Sequence, residues 1–411
     1  MSTVLTEQLP KSNSLKLLLL ILIANGAAHS LFVIAFPVLG RSLGLTDIQT
    51  GLILTVSSIA MMASAPFWGA RSEIAGRRSI IAIGIVVTGL FLILAAGAVY
   101  LRQNLLITAS MSFFILFGLR LSQAIGVGGV MPAAQAYVAD STGPEHRARG
   151  MGKMGAAFGI GTIAGGAIAM ALGQVSIVLG LSGLGVVLVF IWWLGCSRLP
   201  ESREPGEITS NLSFKLPYEQ LWPMLLITFC GLLIYGTLQQ VIGLRLQDEF
   251  GFSAGEALKG TGAVMMASMA AMVVTQGGLM RWLTWSPERL LVSGCLVMVI
   301  ALTAATSATT YPVLLVGMIL LGLGMGLVFP GNLALLSLAV DEDTQGRIAG
   351  INSVSKGIGM ALGPVTGAFL HQFSVITPFV FAVLLGALML ILSAWVIKGS
   401  KLADTEERQS A

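Results

Sequence analysis

Within the stretch FILFGLRLSQAIGVGG (113–128), a single arginine, Arg120, interrupts an otherwise apolar run. A guanidinium stays charged at any working pH, so apolar surroundings demand that something answer it. Gln123, one helical turn further on, can offer an acceptor. Few other polar side chains enter the apolar runs: Asn25 and His29, Gln135, Gln239 and Gln240, Asn332, Asn352 and Lys356. Asn25 and His29 are four residues apart and share a helix face. An imidazole changes charge near neutrality, so at position 29 it can carry a proton or stay neutral in an interhelical hydrogen bond. Every Asp and Glu lies in a loop or at the edge of a run, the nearest being Asp47, Asp140, Asp248, Glu249 and Glu256. Arg120 and Lys356 therefore meet no anion in the runs. A negatively charged or carboxylate-bearing ligand would answer them. Backbone carbonyls with Gln123 would equally tether Arg120, and Lys356 could snorkel to the membrane surface.

These residues offer no enzyme chemistry: there is no nucleophile–base pair, no paired carboxylates within a run and no metal-ligand spacing, so neither enzyme, metal nor cofactor is expected. Cys196, Cys230 and Cys295 form no CxxC or Cys/His pattern and read as packing residues. Glycine runs such as GVGGV (126–130) and GLGMG (322–326) lack the lysine of a phosphate loop, and read as small-residue contacts between membrane helices.

The elements that must position these groups are membrane spans. Of 411 residues, 55% are hydrophobic and 10% charged; a soluble domain carries roughly 25% charged residues. Mean hydropathy is +0.88. Lipid must cover such a chain. A net charge of +4, spread among the runs, gives no footprint for nucleic acid. Runs of about 20 apolar residues suffice to span a bilayer, and twelve are expected, from 15–39 to 377–397. One, 107–138, is unusually long, and the joint at 172–176 implies a tight hairpin. The first is too long for a cleaved signal. With a cytoplasmic N-terminus, seventeen Lys and Arg fall on the inner side and four (Arg41, Arg102, Arg245, Lys259) on the outer side. Both termini are thus expected in the cytoplasm. Trp192, Trp193 and Trp395 near run ends read as interface anchors.

The polar stretch 197–223 splits the chain six spans against six. The expected domains are 1–196, a linker 197–220, and 221–411. At an offset of 198, Gly126 meets Gly324, Gly128 meets Gly326, Pro132 meets Pro330, Arg149 meets Arg347, Gly161 meets Gly359 and Gly165 meets Gly363. Parallel six-span repeats imply a substrate cavity between the halves, near mid-membrane.

The motifs resemble those of the major facilitator superfamily, in particular its drug:proton antiporter branch with the tetracycline efflux proteins, and the resemblance covers the whole chain. GARSEIAGRR (69–78) is similar to the family's G-x-x-x-D-R-x-G-R-R loop: Gly69, Gly76, Arg77 and Arg78 match, Glu73 replaces the aspartate and Ile74 an arginine. Arg120 and Gln123, followed by Ala124, resemble R-x-x-Q-G, linked in the family to proton transfer. AAFGIGTIAGGAI (156–168) resembles the antiporter motif of the fifth span, with Gly161 and Gly165 retained and Gly166 at the usual proline; its duplicate in span eleven keeps Gly363–Pro364.

The resemblance implies an all-α membrane protein of two six-helix bundles. It implies spans one, four, seven and ten around the cavity, and a cytoplasmic gate at Gly69, Glu73, Gly76, Arg77, Arg78 and Asp140. The expected function is proton-driven export of a small organic molecule across the inner (plasma) membrane by a monomer. Arg120, Gln123, His29, Asn25, Lys356, Asn332 and Gln239 are the substrate or coupling groups. The buried cations favour an anionic metabolite, such as an iron-chelating carboxylate compound, and 19 methionines suit a broad hydrophobic drug. Import of a sugar or organic acid by proton symport is the further alternative. A carrier-derived receptor or scaffold has little to support it.

Overall fold

A computed structural model of the protein describes residues 12–141, 144–172, 175–196, 198–202, 218–340 and 345–410. These residues are almost wholly helical, with no strand among them. The helices are α1 Ser12–Ser42, α2 Asp47–Ala75, α3 Arg77–Gln103, α4 Ala109–Val127, α5 Val130–Ser141, α6 Pro144–Leu172 and α7 Ile177–Ile191. They continue with α8 Tyr218–Asp248, α9 Ala254–Gly277, α10 Pro287–Thr306, α11 Tyr311–Leu338, α12 Gln345–His371 and α13 Thr377–Ser410. Among the described residues, 11 stretches are long and apolar enough to cross a membrane. The remaining expected run, 348–371, lies in α12, which has 27 residues but carries Asn352, Lys356 and His371. Much of the expected linker, and part of the 172–176 joint, lies outside the described residues.

The long run 107–138 is two helices, broken at Gly128–Gly129. The break has a packing cause. A Cβ on Gly129 would sit 2.6 Å from the Cβ of Trp68, and one on Gly128 would sit 2.7 Å from the Met61 carbonyl, so α2 presses on the chain there. The Ile125 carbonyl, which a continuous helix would give to the N–H of residue 129, instead accepts the Trp68 indole N–H at 2.6 Å and the Ser64 hydroxyl at 3.2 Å. Sequence periodicity could not register this, because both glycines are as apolar as their neighbours.

The chain forms two compact units: Met1–Phe32 with Ala60–Ile168 and Ser176–Ser210, and Val33–Ile59 with Ala169–Val175 and Asn211–Ala411. In the first unit, α1 lies on α6 through small residues. A Cβ on Gly161 would strike the Ile23 carbonyl and one on Gly165 would come to 2.5 Å of the Ala27 carbonyl. The Ser30 hydroxyl donates to the Thr162 carbonyl across the same seam at 2.8 Å. In the second unit α8 and α12 meet the same way: Gly359 against the Phe229 carbonyl, Gly363 at 2.5 Å from Gly236. Gly126 abuts Val87 of α3, and Gly324 abuts Met298 of α10. The glycines paired at the 198-residue offset thus do the same packing work in each unit, letting backbones approach without side chains between them. Gly166 is buried in α6. Pro364 lies inside α12, and its carbonyl closes against Gly51, where a Cβ would come to 2.8 Å.

Candidate functional site

Arg120 lies on α4 in the first unit and is only 4% exposed. Its Nη1 donates to the Gln123 Oε1 at 2.6 Å, and the Gln123 amide donates to the Thr88 hydroxyl on α3 at 3.2 Å. The guanidinium faces two aromatic rings, Phe32 at 4.9 Å and Phe91 at 5.6 Å. Those two rings pack edge to face at 4.9 Å. The ring faces present partial negative charge, which steadies a cation without discharging it. The Nε of Arg120 is buried with no partner, and no ion pair to this arginine occurs among the described residues. The arrangement is a fixed, partly unsatisfied cation.

The other expected polar groups scatter. In the first unit Asn25 is buried on α1, and His29 is half-buried with its ring 6.4 Å from Phe158. Gln135 is exposed. In the second unit Asn332 ties α11 to α8, its amide donating to the Met224 carbonyl at 2.7 Å and the Thr228 hydroxyl at 2.9 Å. Gln240 donates to the Thr50 hydroxyl at 2.9 Å. Gln239, Asn332 and Asn352 each keep a buried amide oxygen without a partner. Lys356 is half-buried, so the second expected in-membrane cation is less enclosed than Arg120.

The loop between α2 and α3 departs from the expected gate. Gly76 has φ +87° and makes the turn, whereas Gly69 lies inside α2 with nothing crowding its Cβ position closer than 3.9 Å. Glu73 forms no ion pair among the described residues, and the acids that serve here are Asp140 and Glu201. The Arg77 Nε meets the Asp140 Oδ2 at 3.5 Å, and its Nη1 donates to the Ser72 hydroxyl at 2.5 Å. The Glu201 Oε1 accepts the backbone N–H of Arg77 at 2.7 Å and of Arg78 at 3.3 Å, capping α3 from a distant segment. Ser202 donates to the Asp140 Oδ2 at 3.0 Å, and the Tyr137 hydroxyl to the Pro200 carbonyl at 3.1 Å. Arg78 joins this network through its backbone alone.

Two ionic centres in the second unit were not foreseen. Arg41 reaches two carboxylates at once: Asp47 through Nε (2.7 Å) and Nη2 (2.8 Å), Asp248 through Nη1 (2.6 Å) and Nη2 (2.8 Å). The His371 Nε2 lies 2.9 Å from Asp248 Oδ2, the oxygen that also takes Arg41 Nη2, and 3.4 Å from that Nη2, while its Nδ1 is buried without a partner. Two carboxylates and one guanidinium leave this cluster one negative charge when the imidazole is neutral. The second centre corrects the placing of Arg245 among loop cations: it lies in α8 and is 0% exposed. It pairs with Glu249 at 2.6 Å and donates to the carbonyls of Ala305 (2.6 Å), Ala308 (2.7 Å) and Thr306 (3.3 Å), with the Phe379 ring 4.4 Å away. Cys230 and Cys295 are buried free thiols, in keeping with a packing role.

Comparison with known proteins bears on this geometry as a whole. The family model of the Major Facilitator Superfamily matches residues 18–306 and 261–410. Multidrug resistance protein 1 of Bacillus subtilis (strain 168) is 26% identical over 373 residues, covering 87% of this chain and 90% of that protein. The class B tetracycline resistance protein of Escherichia coli is 24% identical over 386 residues, covering 88% and 90%. Among solved structures, the human organic anion transporter MFSD10 (TETRAN) matches with a TM-score of 0.66 at 19% identity, over 93% of this chain and 100% of that one. An inward-facing, unoccupied bacterial homologue of the lysosomal transporter Spinster matches with a TM-score of 0.72 at 15% identity, over 94% and 98%. At such identities the solved structures speak for the fold alone.

Proposed function

This chain belongs to the major facilitator superfamily of membrane transporters, and on that premise we propose that it exports a small anionic organic molecule, driven by the proton gradient. One observation carries the reading: Arg120, enclosed in the first unit with one side-chain acceptor, two ring faces and an unpartnered Nε. Enclosing a charge is costly unless its hydrogen-bonding sites are filled, so a carboxylate arriving with the cargo is worth more there than in water. Gln123 and the two rings hold the guanidinium in place for it. Asn25 and His29 supply further polar contacts on α1, with Gln239, Asn332 and Lys356 as their counterparts in the second half. Alternating access of two six-helix repeats, 1–196 and 221–411, moves the cargo across the inner membrane, with both termini in the cytoplasm and Arg77, Asp140 and Glu201 pinning the cytoplasmic gate.

A second reading is broad drug efflux, favoured by the names of the bacterial relatives, which are multidrug and tetracycline resistance proteins. Mass spectrometry of spent medium separates the two. Cells carrying the gene, lacking it, or carrying Arg120→Gln are compared. Loss of one acidic metabolite from the medium in the second and third cases supports the anion exporter. An unchanged medium together with new sensitivity to unrelated drugs overturns it in favour of drug efflux.

A further inference from the structure

Where α3 begins and α7 ends, the first unit carries a groove of about 730 Å³ that shares Glu201 with the proposed gate but whose other walls the transport reading does not use. Its walls hold Arg78 and Ser79 of α3, Trp192 and Trp193 of the π-helical turn Trp192–Cys196, and Arg198 and Glu201 beyond it. Neither Arg78 nor Arg198 forms an ion pair among the described residues. Glu201, the acid in the lining, is committed elsewhere, since its Oε1 accepts the N–H groups of Arg77, Arg78 and Ser202. Two arginines therefore line a groove with one carboxylate, Glu201, whose Oε1 is engaged by backbone N–H groups and which pairs with neither guanidinium among the described residues.

The surroundings say where such a groove lies. Trp192 and Trp193 are 37% and 64% exposed, at the level where tryptophans mark the boundary between headgroups and hydrocarbon. Beyond them the surface turns apolar along both helices: Val186 and Phe190 on α7 and Ile83 and Leu90 on α3 are all exposed.

We propose that this groove binds one anionic phospholipid, with its phosphate between Arg78 and Arg198, its glycerol edge against the tryptophans, and its acyl chains along the apolar strip of α3 and α7. Guanidiniums grip phosphate through paired N–H donors, and basic pockets between spans are where anionic headgroups settle. A free phosphate would satisfy the arginines but would gain nothing from the rings and the strip below. The assignment requires only that the helices span a bilayer, and stands apart from which cargo is carried.

Native mass spectrometry of the full-length, delipidated protein tests this with three probes: phosphatidylglycerol, phosphatidylcholine and inorganic phosphate. Wild type should retain one phosphatidylglycerol far more strongly than phosphatidylcholine, with no retention of phosphate. Arg78→Gln with Arg198→Gln should weaken phosphatidylglycerol about 30-fold, the effect of two interfacial cations at their usual strength. Arg78→Lys with Arg198→Lys should recover most of it. Arg281→Gln, an exposed arginine elsewhere, should change nothing. Undiminished lipid retention in the double glutamine variant overturns the proposal, as does phosphate binding as tightly as the lipid. If the glutamine pair misfolds, the single variants Arg78→Gln and Arg198→Gln decide: each should weaken phosphatidylglycerol about fivefold, and undiminished retention in both overturns the proposal.

Discussion

Two arginines of this chain are buried to nearly the same degree, yet replacing one by methionine should cost several kcal/mol of stability and replacing the other should cost none. Arg245 is held by the Glu249 carboxylate, by the carbonyls of Ala305 and Thr306 at the end of α10 and of Ala308 just beyond it, and by two rings, Phe379 and Phe250. Arg245→Met strands all of them. Breaking a buried pair in this way typically costs about 3–5 kcal/mol, and the partial exposure of Glu249 (29%) places the expectation at the lower end. Arg120 has one side-chain acceptor and two ring faces. The hydrogen bond is worth about 1.5–3 kcal/mol, and the rings about 2 kcal/mol. Against these stands a desolvation penalty of several kcal/mol for an unpaired ion. The balance lies near zero, so Arg120→Met in the ligand-free protein should be neutral or stabilising. Adding Gln123→Leu, which removes the amide left behind, should add to the gain. Thermal unfolding of the purified protein in detergent, followed by intrinsic fluorescence, reads both. If Arg120→Met falls as far as Arg245→Met, then Arg120 is a structural tether and the reasoning that it awaits a charged cargo fails.

A further outcome follows from the contact of Glu201 with the start of α3. Glu201→Ala should uncap α3 at a cost of about 0.5–2 kcal/mol, seen as faster hydrogen exchange at the first turn of that helix. Glu201→Gln should restore part of the protection, and unchanged exchange in the alanine variant would mean that water caps the helix equally well.

Much of the architecture was legible in the sequence because the signal is local and long. Apolar runs of 20 or more residues announced the spans, and the glycines at the 198-residue offset announced the repeat, though not which helices they bring together. The interruption at Gly128–Gly129 was hidden, because hydropathy does not distinguish a kinked span from a straight one. Arg120 stood out by its isolation in apolar sequence. Arg245 escaped notice because it sits near a run end, where a cation looks like a loop residue, and only the fold shows it turned inward onto carbonyls 60 and more residues away. The cluster around Arg41 was illegible for a different reason: its members come from positions 41, 47, 248 and 371, and no spacing links them. Glu201 was overlooked because the stretch holding it read only as a polar divider.

The sharing of one guanidinium between Asp47 and Asp248 sets a rule for how this protein can change over time. Neutralising either acid leaves Arg41 with the other, whereas losing Arg41 leaves two carboxylates and an imidazole facing one another with no counterion of fixed charge. Substitutions at these positions are therefore epistatic, tolerable in one order and not in the reverse, with the arginine the last to go. Anyone grafting the first hairpin of this chain onto a relative would have to transplant positions 248 and 371 along with it, although they lie in the other half of the sequence.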